Sequence, residues 1–311
     1  MAIKQHISTF TCLGGGIIGS GWAALALANN KQVKLWDPSQ KALNRAKDHI
    51  QTALVSLGTN GYDVANVFQN LELCDTLEAA LSNSDFVQES APEILGLKQD
   101  LFSQIDALVP DSVIIASSSS AITMTQIAMK TRHPKRCIIA HPLNPVYLVP
   151  VVELVPGEQT SQQTVSMAKN IYEQLGKKPI TLNTEKTGFV LNRLQETLWR
   201  EAFRLVANNQ VSVEDVETAL TSGLGLRWSI LGPFMVYHLA YGEKGIADFF
   251  AEHNGAHKGW ADLDPPKYSA KKASEITQAC ESLGNGKTEL ELMRERDMAL
   301  VSVLNALNLK D

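Results

Sequence analysis

The chain has 311 residues, which at about 150 residues per domain favours two domains and a sizeable core. Lys and Arg total 28 against 33 Asp and Glu, a formal net charge of −5, so no basic excess points to nucleic acid or to an anionic membrane. The composition, 44% hydrophobic and 20% charged, excludes long disorder, and Cys12, Cys74, Cys137 and Cys280 lie too far apart for a zinc ribbon or a disulfide framework, which fits a reducing compartment.

In chain order, Ile7 to Leu13 reads as a first strand that runs into Gly14, Gly15 and Gly16. The uncharged stretch from Cys12 to Ala28 mimics a signal-peptide core or a short membrane span. Its five glycines and its length, below the roughly 20 residues that a span needs, predict a folded segment in a cytoplasmic protein. Trp22 to Ala28 reads as a helix, and Val33 to Trp36 as a short buried strand ending at Asp37 and Pro38. Further strands are expected at Asp85 to Gln88, Val113 to Ala116, Ile138 to Ala140 and Val151 to Leu154, with helices at Lys41 to Leu57, Lys98 to Leu108 and Thr123 to Lys130. This alternation predicts an α/β fold: a Rossmann-like, doubly wound, mostly parallel sheet. After Pro179 the spacing turns helical, at Phe189 to Ala207, Val213 to Ser222, Ser269 to Ser282 and Thr288 to Leu307, with a loop at Asp264, Pro265 and Pro266. We therefore expect residues 1–184 to form the first domain and 185–311 an all-helical second one.

Gly14, Gly16 and Gly19 form a GxGxxG that follows a predicted strand and opens a helix, with Ile17 and Ile18 inside the turn and Asp37 18 residues beyond Gly19. In such a motif the first glycine permits the tight turn, the second lets the backbone approach a pyrophosphate, and the third allows close helix–strand packing. The helix N-terminus then offers free N–H donors to the anion. Asp37 suits a ribose diol and would repel a 2′-phosphate, so NAD is favoured over NADP.

His141 begins His-Pro-Leu-Asn-Pro at a strand end, and Glu153 follows twelve residues later on the next strand. A lone histidine there is more often structural than catalytic. A carboxylate bonded to one imidazole nitrogen, however, fixes the tautomer and raises the basicity of the other. Ser120 closes the run Ser117, Ser118, Ser119, Ser120 after a strand, and Asn192 lies in Gly-Phe-Val-Leu-Asn-Arg at the start of the second domain.

Taken in order, GxGxxG, Asp37, the serine run, His-x-x-Asn-Pro, Glu153 and Gly-Phe-x-x-Asn-Arg resemble the 3-hydroxyacyl-CoA dehydrogenase superfamily along nearly the whole chain. The resemblance implies that His141 and Glu153 form a catalytic pair and that Ser120 and Asn192 hold and polarise the substrate oxygen. NAD would accept a hydride from C3 of a 3-hydroxy compound while His141 removes the hydroxyl proton. It also places Glu89, Glu93, Lys98 and Ser118 near the cofactor, although for Glu89 and Lys98 a solvated face is an equal reading.

Acyl-CoA members read His-Phe-Phe-Asn-Pro and Ser-Asn-Thr-Ser, where this chain has Pro142, Leu143 and Ser118, and no Lys or Arg stands between Asp48 and Leu97 to meet CoA phosphates. The chain is more similar to two small-substrate branches, the L-carnitine dehydrogenases and the lambda-crystallin or L-gulonate 3-dehydrogenase group, and to the former more than the latter. Arg227 is the candidate clamp for a substrate carboxylate, against the alternative of a surface or packing arginine. Trp228, Tyr237 and Tyr241 are candidates for a cage around a quaternary ammonium group. Their neighbours Phe234, Phe249, Phe250 and Trp260 are expected to pack the helical domain or a homodimer interface. His253 and His257 have no third ligand in view, so no metal is expected. The resulting expectation is oxidation of a small 3-hydroxy carboxylate, L-carnitine to 3-dehydrocarnitine first. L-gulonate or 3-hydroxybutyryl-CoA is the alternative, and a silent crystallin-like NAD-binding protein the reading from another class.

Overall fold

The computed structural model describes residues 7–58, 64–241 and 286–308, with Ser269, Lys271 and Glu275. It divides into two compact units. One takes in the described residues up to Asn192 together with Arg296–Val303; the other takes in those of Arg193–Glu295 and from Leu304 onward.

The first unit is built on an eight-stranded sheet among the described residues. In chain order β1 (Thr9–Leu13) is followed by α1 (Ile17–Ala28), β2 (Gln32–Trp36), α2 (Gln40–Gly58), β3 (Leu71–Leu73) and β4 (Phe86–Glu89). The helix Leu95–Leu108 leads to β5 (Ile114–Ser117), β6 (Cys137–Pro142) and β7 (Val151–Pro156), and the helix Gln162–Gln174 to β8 (Lys178–Thr181). The spatial order is β3-β2-β1-β4-β5-β6-β7-β8. All neighbours pair parallel except β6 and β7. The exception has a simple cause: the connection from Leu143 to Pro150 is too short to cross over, and a short link returns the chain antiparallel. Strand order reverses between β1 and β4, so their carboxyl ends open a crevice where ligands of such sheets bind. Phe10, Trp22, Leu35, Phe86, Ile115 and Ile139 are fully buried around the central strands, which explains why these read as continuous apolar runs.

The Rossmann-like sheet and the helices after it follow the expected pattern, and the departures have local causes. Helix α1 begins at Ile17 rather than Trp22 because Gly19 and Gly21 hide its periodicity. They are required by close approach: a Cβ on Gly19 would lie 1.9 Å from the Gly14 carbonyl oxygen, and one on Gly21 2.8 Å from Val146 Cβ. Strand β3 has only three residues, and β8 contains Pro179, which an edge strand tolerates but which obscures a strand pattern. The unanticipated helix Gln162–Gln174 buries Val165, Ala168, Ile171 and Tyr172 at helical spacing behind an N-cap at Ser161.

The helix Leu191–Ala207, which belongs to the second unit from Arg193 onward, starts two residues later than expected, because Gly188 and Phe189 turn through positive φ (81° and 47°). Val213–Thr218 gives way to a widened π-type segment at Ala219–Leu224, followed by Gly225–Trp228 and Pro233–Ala240. The last helix is Glu289–Asn308, capped by Thr288, whose hydroxyl accepts from the Glu291 amide while Glu291 accepts from the Thr288 amide. Apart from Ser269, Lys271 and Glu275, the predicted helix over Ser269 to Ser282 and the loop at Asp264 lie outside the described residues. Among the described residues no helix is long and apolar enough to cross a membrane.

Candidate active site

The glycine turn sits at the crevice. Gly14 has φ of 111°, its amide donates to Trp36 O, and a Cβ there would meet Ser90 O at 2.5 Å, so only glycine fits. Gly16 is the N-cap of α1, with nothing within 4 Å of the position a Cβ would take and no side chain capping the helix. That open ground before the N–H groups of Ile17 and Ile18 has room for an anion such as a pyrophosphate. Asp37, just past β2, accepts from the amides of Gly15 and Ser39, both at 2.8 Å, so the carboxylate expected at a ribose also braces the turn. These residues fit a dinucleotide.

His141 and Glu153 are direct register partners across the antiparallel β6–β7 pair. His141 Nδ1 and Glu153 Oε2 are 2.6 Å apart, both side chains buried. With the proton on Nδ1 donated to the carboxylate, Nε2 carries the lone pair. The other oxygen, Oε1, accepts from the amides of Val190 at 2.7 Å and Leu191 at 3.0 Å, where Leu191–Ala207 begins. A helix start therefore faces a buried carboxylate, a favourable match of dipole and charge. The ring of Phe189 lies 5.7 Å from that of His141, tilted by 58° to it. Sequence reasoning missed Phe189; its position after a glycine in Gly-Phe-x-x-Asn-Arg was the available signal.

The serine run explains itself residue by residue. Ser117 Oγ donates to Glu89 Oε2 at 2.5 Å, and Ser119 Oγ to Glu93 Oε1 at 2.6 Å. Ser118 Oγ, pointing the other way, accepts from Trp22 Nε1 at 3.1 Å and Gln88 Nε2 at 2.9 Å and is hydrogen-bonded to Ser90 Oγ at 2.8 Å. The amides of Ser120, Ala121 and Ile122 all donate to Glu93 Oε1. Lys98 ties the two acids together: its Nζ is 2.7 Å from Glu89, 3.4 Å from Glu93 and 3.1 Å from Ala91 O. Glu89 and Lys98 are buried, which removes the solvated-face reading of both. Partial burial pushes the Glu93 carboxyl up, but the Ser119 hydroxyl, the Ala121 amide, Lys98 and the Ile122 amide outweigh it and hold it below the usual carboxylate range. Asn192 reaches this loop, its Nδ2 donating to Ser120 O at 3.0 Å. His141, Glu153, Ser120 and Asn192 thus all belong to the first unit.

Arg227, Trp228, Tyr237 and Tyr241 belong to the second unit. Arg227 and Trp228 end the short helix Gly225–Trp228 and are exposed, and Tyr237 lies in Pro233–Ala240. Phe249, Phe250, Trp260, His253 and His257 lie outside the described residues.

Residues 9–185 match the 3-hydroxyacyl-CoA dehydrogenase NAD binding domain, and residues 188–279 match the 3-hydroxyacyl-CoA dehydrogenase C-terminal domain. The chain belongs to the 3-hydroxyacyl-CoA dehydrogenase family. It is accordingly an NAD-dependent oxidoreductase acting on CH–OH, with NAD as cofactor. It is 38% identical over 307 residues to an L-carnitine dehydrogenase of Streptomyces coelicolor, covering 98% of this chain and 96% of that one. With an L-carnitine dehydrogenase of Nocardiopsis dassonvillei it shares 39% identity over 304 residues, 97% and 92% of the two chains. Among solved structures it resembles 5-formyl-3-hydroxy-2-methylpyridine 4-carboxylic acid 5-dehydrogenase, an NAD+ dependent dismutase, with TM-score 0.79, 25% identity and coverage of 97% and 99%. An (S)-3-hydroxybutyryl-CoA dehydrogenase from Ralstonia eutropha matches with TM-score 0.64 and 30% identity over 76% of this chain and 83% of that one.

Proposed function

We propose that this family member oxidises the 3-hydroxyl of a small 3-hydroxy carboxylate, L-carnitine to 3-dehydrocarnitine, with His141 as general base. The observation that carries the reading is the buried 2.6 Å contact between His141 Nδ1 and Glu153 Oε2. Glu153, anchored by two backbone amides on its other oxygen, holds the imidazole so that Nε2 takes the proton from the substrate hydroxyl. As the carbonyl develops, the Ser120 hydroxyl and the Asn192 amide donate to its oxygen. Bound NAD supplies the hydride acceptor. Asp37, the open position at Gly16 and the first turn of α1 at Ile17, Ile18 and Gly19 hold it, and Ser118, Glu93 and Lys98 shape the floor beneath it.

Support for a small zwitterion over CoA comes from the carnitine dehydrogenase relatives and from the absence of Lys and Arg between Asp48 and Leu97. Arg227 is the carboxylate clamp in this reading, and Trp228, Tyr237 and Tyr241 hold the quaternary ammonium. The exposed Leu194, Trp199, Leu226, Phe234 and Leu239 of the second unit support a homodimer formed through residues 185–311, with 1–184 as the NAD-binding domain, in a cytoplasmic protein. The test is a panel of 3-hydroxy acids with NAD and NADP. L-Carnitine with NAD is expected to turn over stereospecifically; inert carnitine beside active L-gulonate or 3-hydroxybutyryl-CoA would overturn the substrate assignment.

A further inference from the structure

The loop that joins the two strands of the His141–Glu153 pair, Leu143 to Pro150, is held by a buried cation that the reaction does not use. Lys177 follows the helix Gln162–Gln174, is 5% exposed, and turns its ammonium inward. Its Nζ donates to Val146 O and, at 2.7 Å, to Val149 O, and sits 5.0 Å from the ring centroid of Trp22. Next to it, the amide of Lys178 donates to Pro150 O at 2.8 Å, and the amide of Lys177 to Tyr172 O at 2.9 Å. The loop is gripped on its other flanks as well. Val146 packs against Gly21 of α1 so closely that a Cβ there would come within 2.8 Å, and Tyr147 Oη donates to Asp297 at 2.6 Å.

We infer that Lys177 is a positioning residue: by binding two carbonyls of the β6–β7 connection, it sets the spacing of the strands that carry His141 and Glu153. The inference rests on the proposed role of that pair. Its physical basis is that Val146 O is buried and Val149 O partly so, where backbone acceptors need partners. No other donor to them is present among the described residues. Without the lysine both acceptors lose their donor, and because Val149 stands two residues before the start of β7, a shift of the loop that regains partners displaces that strand end. The cation also leans on Trp22, whose indole donates to Ser118, so the lysine links the dyad's loop to the serine run. A neutral amine keeps two N–H groups, so the clamp does not depend on the charge.

Lys177→Met removes both donors while keeping an unbranched apolar stem, and Lys177→Arg restores donors. We expect Lys177→Met to lose about tenfold or more in kcat, the scale set by small misplacements of catalytic groups, with NADH affinity by fluorescence titration within about twofold of wild type. The acid limb of log kcat against pH is expected to move down by about half a unit, since a loosened carboxylate supports the imidazole less. Lys177→Arg is expected to recover the limb. A lysine with only a packing role would lower the melting temperature and leave the limb in place, and that result overturns the inference. Should Lys177→Met fail to fold, Lys177→Gln, one bond shorter, is read by the same criterion. Glu153→Gln serves as the control. If it displaces the limb and the Lys177 variants do not, only this inference falls; if it does not, the reading of the dyad falls and takes the inference with it.

Discussion

The two units bury their chemistry in opposite ways. In the first, charged and polar side chains go inside, each with partners: Glu89, Lys98, Glu153 and Lys177 are all nearly inaccessible, and every one meets an amide, a carbonyl or a counter-charge. In the second, Val213–Thr218, Gly225–Trp228 and Pro233–Ala240 bury no residue fully, while Phe234 is 75% and Trp199 55% exposed. A network of satisfied buried groups fixes geometry at a cost in desolvation, which suits a site that must hold a base and a hydroxyl in place. An exposed apolar face has the reverse character. It specifies little alone and gains free energy when another surface covers it.

Two changes sharpen that contrast. The larger effect is expected from Trp199→Ser combined with Phe234→Ser. If the apolar face is covered by a second copy, this variant will dissociate at protein concentrations at least about tenfold higher than wild type by sedimentation, since buried aromatics dominate such interfaces. An unchanged profile would remove the dimer from the account. The smaller effect concerns Lys177, whose ammonium burial pulls down from 10.5 to about 7. Below pH 7 the folded and unfolded chains both carry the proton. Between there and 10.5 the unfolded chain binds it more strongly, so folding stability contributed by this site rises with pH. Urea unfolding at pH 7 and 9 is expected to show a rise on the order of 1–2 kcal/mol in wild type relative to Lys177→Met. Equal slopes in both proteins would mean that the amine is not desolvated.

Much of the first unit was legible in its residues because motif and strand end coincide. Gly14 and Asp37 stand just past the ends of β1 and β2, where a positive φ and a close approach require the glycine, and His141 and Glu153 emerged as a register pair on neighbouring strands. The fold class followed from alternation of apolar strands and amphipathic helices. What sequence could not supply was partnership at long separation. Nothing in Glu89 or Lys98 distinguishes a buried ion pair from a solvated face, and the four serines needed the carboxylates of two other segments before their order made sense. Nothing in the sequence sets Lys177 apart from its neighbour Lys178, because burial of a lone lysine depends on carbonyls some thirty positions away. In the second unit Arg227 and the aromatics rest on residue type and resemblance, which state a preference for a ligand and carry no geometry.

The claim on which the account turns is that His141 takes the substrate proton while contributing nothing to dinucleotide affinity. His141→Gln tests it most directly, measured by NAD reduction with L-carnitine alongside NADH titration of the same preparation. A loss of about 10² to 10⁴ in kcat with NADH affinity unchanged is expected. Turnover within a few-fold of wild type would contradict it.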